Sequence, residues 1–128
     1  MGLALAGRCL GTGAEVIIVG RNPERLTRAR EALGSPAQLQ AIAADVSREE
    51  QVIELFGRVG SLDHIVSTAA DIEGAYQLVS ALDLGAAQRV VDSKFYGPLL
   101  LAKHGAPKLA ATGSITVVSG IAAYRPAP

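Results

Sequence analysis

The chain has no tryptophan, one cysteine, one methionine and only five phenylalanines and tyrosines among its 128 residues. A single cysteine, Cys9, excludes an internal disulfide framework and a cysteine-built metal site. The two histidines, His64 and His104, have no Asp, Glu or His partner at ligand spacing, so the sequence argues no metal centre. There is no excess of either charge, because twelve basic residues balance twelve acidic ones. That balance removes the electrostatic footprint of a nucleic-acid binder and of a polybasic membrane patch. No apolar run is long enough to span a bilayer, and the first residues lack the basic start and apolar stretch of a secretory signal. Low-complexity stretches and linkers are missing as well. These absences point to a soluble, cytoplasmic, single-domain chain over 1–128 with no nucleic-acid or membrane partner.

What the chain has in quantity is aliphatic residues. Hydrophobic residues make up 49% and charged residues 19%, which is too apolar for disorder. Leu3, Ala6, Gly7 and Leu10 recur at helical spacing, and Gly11-Thr12-Gly13 ends that helix with a left-handed glycine. Glu15 to Gly20 is a β-branched run bounded by glycine, expected as a strand buried on both faces. Asn22-Pro23 starts a helix, with Asn as the cap and Pro at the first helical position. Leu26, Ala29 and Leu33 line its face, and Gly34 stops it. Leu39 to Ala43 reads as a second strand. Ser47 to Glu50 has the form of a capping box, ahead of an apolar stripe at Val52, Ile53, Phe56 and Val59. Leu62 to Val66 is a third strand. A helical stretch over 85–109, kinked at Pro98, leads to a last strand over Ser114 to Ser119. Cys9 is expected as a small buried hydrophobe.

Strands alternating with helices through short loops predict an α/β fold with a doubly wound parallel sheet. Ligands in such sheets sit beyond the carboxyl ends of the strands, so the residues just after each strand are the candidates. Gly11 and Gly13 precede a strand instead of following one, so they are helix punctuation, not a dinucleotide turn. The chain opens on a helix with no strand ahead of it, and no helix covers the last strand. Such an open sheet exposes apolar surface and unpaired edges.

In this order and spacing the sequence resembles the short-chain dehydrogenase/reductase family over essentially its whole length. Met1 to Ala6 resembles the end of the family's Thr-Gly-x-x-x-Gly-x-Gly turn, with Gly2 its last glycine. Gly20-Arg21-Asn22 is similar to members that prefer NADP. Asp45-Val46 matches the family's adenine-side pair, and Leu62 to Val66 the strand leading to its Asn-Asn-Ala-Gly, here Ser67-Thr68-Ala69-Ala70. Val91 to Gly97 resembles the helix carrying the family's Asn, here Lys94. Ser114 to Gly120 resembles the strand carrying the catalytic Ser, which by register falls on Gly120. The Tyr-x-x-x-Lys motif is not present, since Tyr124 is followed four residues later by Pro128. The resemblance implies a partial Rossmann-like sheet lacking the family's first strand and its C-terminal strands. The chain then reads as an internal piece of a divergent member.

The resemblance assigns cofactor roles to Gly2, Arg21, Asn22, Asp45, Val46 and Ala69, and implies NADP in preference to NAD. A guanidinium just after the second strand of the family forks onto a ribose 2′-phosphate that a carboxylate there would repel. Asn22 caps a helix and stands beside that phosphate. Asp45 either accepts from the adenine amino group or pre-caps the next helix. Val46 flanks adenine or joins the core. Gly2 allows pyrophosphate to approach a helix N-terminus. Ser67 to Ala70 either open the crevice or form a tight turn. Ser119 and Lys94 are the candidates nearest the reacting centre. Ser119 reads more readily as a strand-end residue, and Lys94 either replaces the family's Asn in a proton relay or snorkels from the helix surface. Asp71 and Glu73, after the family's fourth strand, either face the crevice or stand in a solvated loop, and the loop is the readier reading.

The function this implies is an NADP-linked oxidoreductase on a carbonyl or alcohol substrate, inactive as the isolated chain. Two alternatives stand beside it: a non-catalytic nucleotide-binding module, and a fragment that folds with a partner chain. The 85–109 helix is a candidate homo-oligomer surface, with Leu99 to Ala102 serving either core or interface.

Overall fold

The computed structural model of the chain describes residues 1–120. Tyr124 and Pro128 lie outside the described residues. Nine main elements follow in the order α1 (Gly2–Gly11), β1 (Val16–Gly20), α2 (Pro23–Ala32), β2 (Leu39–Ala43), α3 (Glu49–Gly57), β3 (Leu62–Ser67), α4 (Leu84–Val91), α5 (Gly97–Gly105) and β4 (Leu109–Val117). The alternation expected from the sequence is present. Gly13, at φ +83°, turns the chain out of α1 into β1. Asn22 caps α2 by accepting from the Arg25 amide at 2.9 Å, which satisfies one of the orphan donors of a helix start.

The strands pair in parallel twos. β1 runs beside β2, with Val16 opposite Leu39 and Gly20 opposite Ala43. β3 runs beside β4. Among the described residues β1 and β3 do not pair with each other. A doubly wound parallel sheet has a further strand between two such pairs. The consequence is visible in β1. It was expected to be buried on both faces, yet Val16, Ile17 and Ile18 are half-buried and Val19 is exposed. A strand paired on one edge loses the neighbour that would cover its other flank.

One core joins the two pairs. Val52, Leu55, Phe56 and Val59 on and after α3 pack with Ile42 and Ala44 of the β2 end, Ile65 of β3 and Leu101 of α5. The expected stripe on α3 is therefore right at Val52, Phe56 and Val59 and wrong at Ile53, which is 51% exposed. Leu55 takes that place, because residues three and four apart share a helical face and Leu55 lies with Val52, Phe56 and Val59. Leu3 of α1 is exposed where the spacing placed it inward, and Cys9 is half-buried instead of core. Glycine lets α5 approach β3 closely. A Cβ at Gly105 would lie 2.5 Å from Ile65 Cδ1 and 2.7 Å from Phe56 Cζ.

Three local expectations are corrected. The capping box at Ser47 does not form: the cap position of α3 is Arg48, without a side-chain bond. Asp45 Oδ1 instead accepts from the Ser47 amide at 3.0 Å and the Ser47 hydroxyl at 2.7 Å. A short side chain that can close a local turn competes with the helix end for the same groups. The helix expected to reach Leu109 ends at Gly105, and β4 starts at Leu109, well before Ser114. Its register with β3 jumps between Leu62–Leu109 and His64–Ser114. The extra residues bulge, and Gly113 is required there, since a Cβ would lie 2.8 Å from the Asp63 carbonyl oxygen. Finally, the break at Pro98 takes the form of a π-turn over Asp92–Tyr96. Proline offers no N–H to the preceding turn and its ring crowds that carbonyl, and a wider turn relieves both.

Candidate functional site

The carboxyl ends of the strands converge. Arg21, the residue after β1, donates from Nη1 to Asp71 Oδ2 at 2.6 Å. Asp71 lies four residues beyond β3, so this ion pair brings the ends of the two strand pairs to one edge. Of the two places open to Asp71, the pair puts it on the crevice side and not free in a solvated loop. The neighbouring Glu73 carbonyl accepts from Arg89 Nη2 of α4 at 3.4 Å. The Asp71 amide donates to Ser93 Oγ at 2.9 Å, and that buried hydroxyl donates on to the Val90 carbonyl at 3.2 Å.

The pair sets the local electrostatics. Arg21 holds the Asp71 carboxyl below the usual carboxylate range, first by its hydrogen bond. Asp71 in turn raises Arg21. Arg21 stands between two open cavities. One, of about 450 Å³, is walled by Val19, Gly20, Arg21, Asn22, Arg25 and Leu26. The other, of about 420 Å³, lies among Arg21, Asp45, Arg48, Asp71, Arg89 and Asp92.

The remaining sequence candidates fall around this edge. Gly2 opens α1 against the end of β3: a Cβ there would lie 2.8 Å from Thr68 Oγ1. The close approach required of Gly2 is thus made first to the protein itself. Asp45 commits Oδ1 to Ser47, and its amide donates to Gln51 Oε1 at 2.7 Å. Val46 is half-buried against the core and covers Gly97, whose added Cβ would meet Val46 Cγ2 at 3.3 Å. Ala69 is half-buried in the turn after β3.

Lys94 does not snorkel to solvent. The π-turn aims it across the site, where Nζ donates to the Val118 carbonyl at 3.1 Å. Ser119 follows that carbonyl, exposed and beyond the end of β4. The two candidates nearest the reacting centre are therefore brought to the same strand end, with the lysine bonded to backbone.

Elsewhere, His104 is not isolated. Glu49 Oε1 accepts from His104 Nε2 and from Lys103 Nζ, each at 2.7 Å. These bonds, that from Lys103 first, hold Glu49 below its usual range. The cluster ties the start of α3 to the end of α5. A carboxyl depressed in the folded state contributes stability above its unfolded value, and loses it as pH falls through the folded value. Acidification from neutrality to below the carboxylate range is therefore expected to lower the melting temperature of the natural chain more than that of Glu49→Gln. Parallel pH profiles for the two would show that the cluster adds nothing. Among the described residues, no group of three or more His, Cys, Asp and Glu side chains is gathered to hold a metal ion.

The family profile described as enoyl-(acyl carrier protein) reductase matches residues 1–128. The chain belongs to the short-chain dehydrogenase/reductase family. It is 33% identical over 144 aligned positions to the short-chain dehydrogenase/reductase malC of Malbranchea aurantiaca, covering 100% of this chain and 54% of that protein. A short-chain type dehydrogenase/reductase structure from Mycobacterium ulcerans superposes with a TM-score of 0.85 at 29% identity, over 95% of this chain and 48% of that one. A short-chain dehydrogenase/reductase (glucose/ribitol dehydrogenase) structure from Brucella melitensis gives 0.89 at 25%, over 99% and 55%. The chain thus spans about half the length of the relatives it matches, and its fold is the α/β Rossmann-like one. The family is one of oxidoreductases that use a nicotinamide dinucleotide. Among the described residues no helix is long and apolar enough to cross a membrane.

Proposed function

We propose that this chain forms the NADP-binding portion of an oxidoreductase that interconverts a carbonyl and an alcohol, and that the isolated chain binds cofactor without turning substrate over. The observation that carries the reading is Arg21. It follows β1 directly, its side chain is 58% exposed, and Arg25 shares a cavity wall with it. Two arginines on one wall suit a dianionic 2′-phosphate, which a fork of N–H donors can hold at two oxygens. Asn22 orders that wall by capping α2. The start of α1 at Gly2 offers backbone amides and the positive end of a helix to the pyrophosphate. Asp45, Val46 and Ala69 border the adenosine half.

The cofactor supplies the hydride when bound. Proton exchange in this family needs a Tyr-x-x-x-Lys pair, and the 128 residues hold none. Lys94 is bonded to the Val118 carbonyl, and the register of the catalytic Ser falls on Gly120. These two positions also favour a second reading, a module that keeps the crevice without the chemistry. The exposed Leu84, Phe95 and Leu99 support the α4–α5 face as a contact between copies of the chain.

Titration with NADPH and NADH, read by nucleotide fluorescence and thermal shift together, tests the reading. Saturable binding that favours NADPH is expected, with no consumption of NADPH when simple aldehydes or ketones are added. Equal affinity for the two nucleotides would remove the NADP assignment, and binding of neither would remove the cofactor role from the chain as it stands.

A further inference from the structure

We infer that Asp71 is a selectivity-determining residue: a built-in counter-ion that occupies Arg21 in the free protein and must give it up to a 2′-phosphate. The inference rests on the reading that Arg21 meets that phosphate, and it adds a second residue that opposes the first. Three observations carry it.

The first is the contact. Arg21 Nη1 and Asp71 Oδ2 are 2.6 Å apart, so a donor of the fork is already spent. A phosphate arriving at Arg21 has to displace a carboxylate or share the guanidinium with it, close to a like charge.

The second is the difference in freedom between the partners. The Asp71 side chain is 11% exposed and Arg21 is 58% exposed. Asp71 is anchored through its amide to the buried Ser93 hydroxyl, on the helical segment after α4. Asp71 therefore stays and Arg21 moves. Arg21 borders both cavities, so its long side chain can leave Asp71 in one and turn toward Arg25 in the other without crossing the core.

The third is the balance of charge. The cavity that holds Asp71 is lined by Arg21, Arg48 and Arg89 against Asp45, Asp71 and Asp92. Three formal positive charges meet three negative ones, so while Arg21 is turned into this cavity its charge is cancelled and is not offered to a dianion on the Arg25 wall. Neutralising one acid tips the balance positive.

The chemistry that Asp71 opposes is a phosphomonoester on the 2′-oxygen of an adenosine. It does not oppose a 2′-hydroxyl, which brings no charge to compete for the guanidinium. Asp71 thus narrows the preference for NADPH over NADH that Arg21 alone would confer.

The test uses the chain as it is, with adenosine 2′-phosphate as the probe, because this ligand needs the adenosine half of the site and not the pyrophosphate turn. Adenosine itself is the control. Asp71→Asn keeps the size and the amide anchor of the residue while removing its charge. It is expected to bind adenosine 2′-phosphate about tenfold more tightly than the natural chain, with adenosine unchanged. Asp71→Ser, read alongside with a thermal melt of each variant, guards against a defect peculiar to one substitution. Unchanged affinity in both folded variants would overturn the inference and leave the NADP reading standing. Weaker binding would overturn it too, by making Asp71 a residue that positions Arg21 for the phosphate. No binding of the probe by any of the three proteins would remove the Arg21 reading together with the inference.

Discussion

Phe56→Ala is expected to lower the unfolding free energy by about 3–5 kcal/mol, the usual cost of deleting a buried aromatic ring. Phe56 is 6% exposed and sits in the cluster that joins α3 to β2, β3 and α5. Domains of this size have only about 5–15 kcal/mol in total, so the variant stands near the edge of folding. The site has one route of partial recovery. Gly105 faces the ring from the end of α5, and a methyl there would lie 2.7 Å from Phe56 Cζ in the natural chain. Gly105→Ala alone is therefore expected to destabilise by overpacking. In the Phe56→Ala background the clash with the ring is gone, and only the tip of Ile65, 2.5 Å from that methyl, still has to give way into the space the ring has left. Urea unfolding of the two single variants and the double variant measures this. The double variant should be more stable than the sum of the single losses allows. Strict additivity would mean that α5 and the ring are not in contact, and a loss below about 1 kcal/mol for Phe56→Ala would mean that the ring is not core.

How much of this was legible beforehand depended on whether the cause was local. The cap at Asn22, the turn at Gly13 and the four strands are written in neighbouring residues, and the periodicity of apolar positions carries across each helix. The errors have long-range causes. Ile53 stands three residues from Phe56 and Leu55 three from Val52, so the helical period admits either edge of the stripe, and the packing against β2 and α5 decides which faces inward. Val19 looked buried because β-branched runs are buried in complete parallel sheets, and here β1 is paired on one edge. The start of β4 was hidden by a bulge whose reason, the Asp63 carbonyl against Gly113, lies fifty residues away in the chain.

The site divides the same way. The position of Arg21 was legible because the strand before it and the helix cap after it are both local signals. Asp71 was not. Its place after β3 admits the crevice, but nothing in the run from Ala69 to Glu73 announces a partner, which is fifty residues distant. Lys94 was misread for a related reason. A lysine on a helix surface snorkels by default, but the π-turn that redirects it arises from Pro98, and the carbonyl that receives it is that of Val118, just after β4. His104 looked isolated for want of a neighbour in sequence, while Glu49 meets it across the packing of α3 on α5.

Arg21→Glu is expected to weaken NADPH binding about ten- to a hundredfold while changing NADH far less. The expected size follows from the loss of a charge-assisted pair and its replacement by repulsion between a carboxylate and the 2′-phosphate. Loss of fold is not the competing explanation. Arg21 is mostly exposed and its pair with Asp71 lies at the surface, where ion pairs add little to stability, so the melting temperature should shift only slightly. Two further comparisons sharpen the outcome. In Arg21→Glu the new carboxylate stands beside Asp71, so restoring neutrality with Arg21→Gln should recover part of the NADPH affinity. Raising the ionic strength should weaken NADPH binding to the natural chain more than to Arg21→Glu, because only the former holds an attraction for salt to screen. An equal loss for NADPH and NADH in Arg21→Glu would place the effect at the shared part of the two nucleotides. The 2′-phosphate would then be read by some residue other than Arg21.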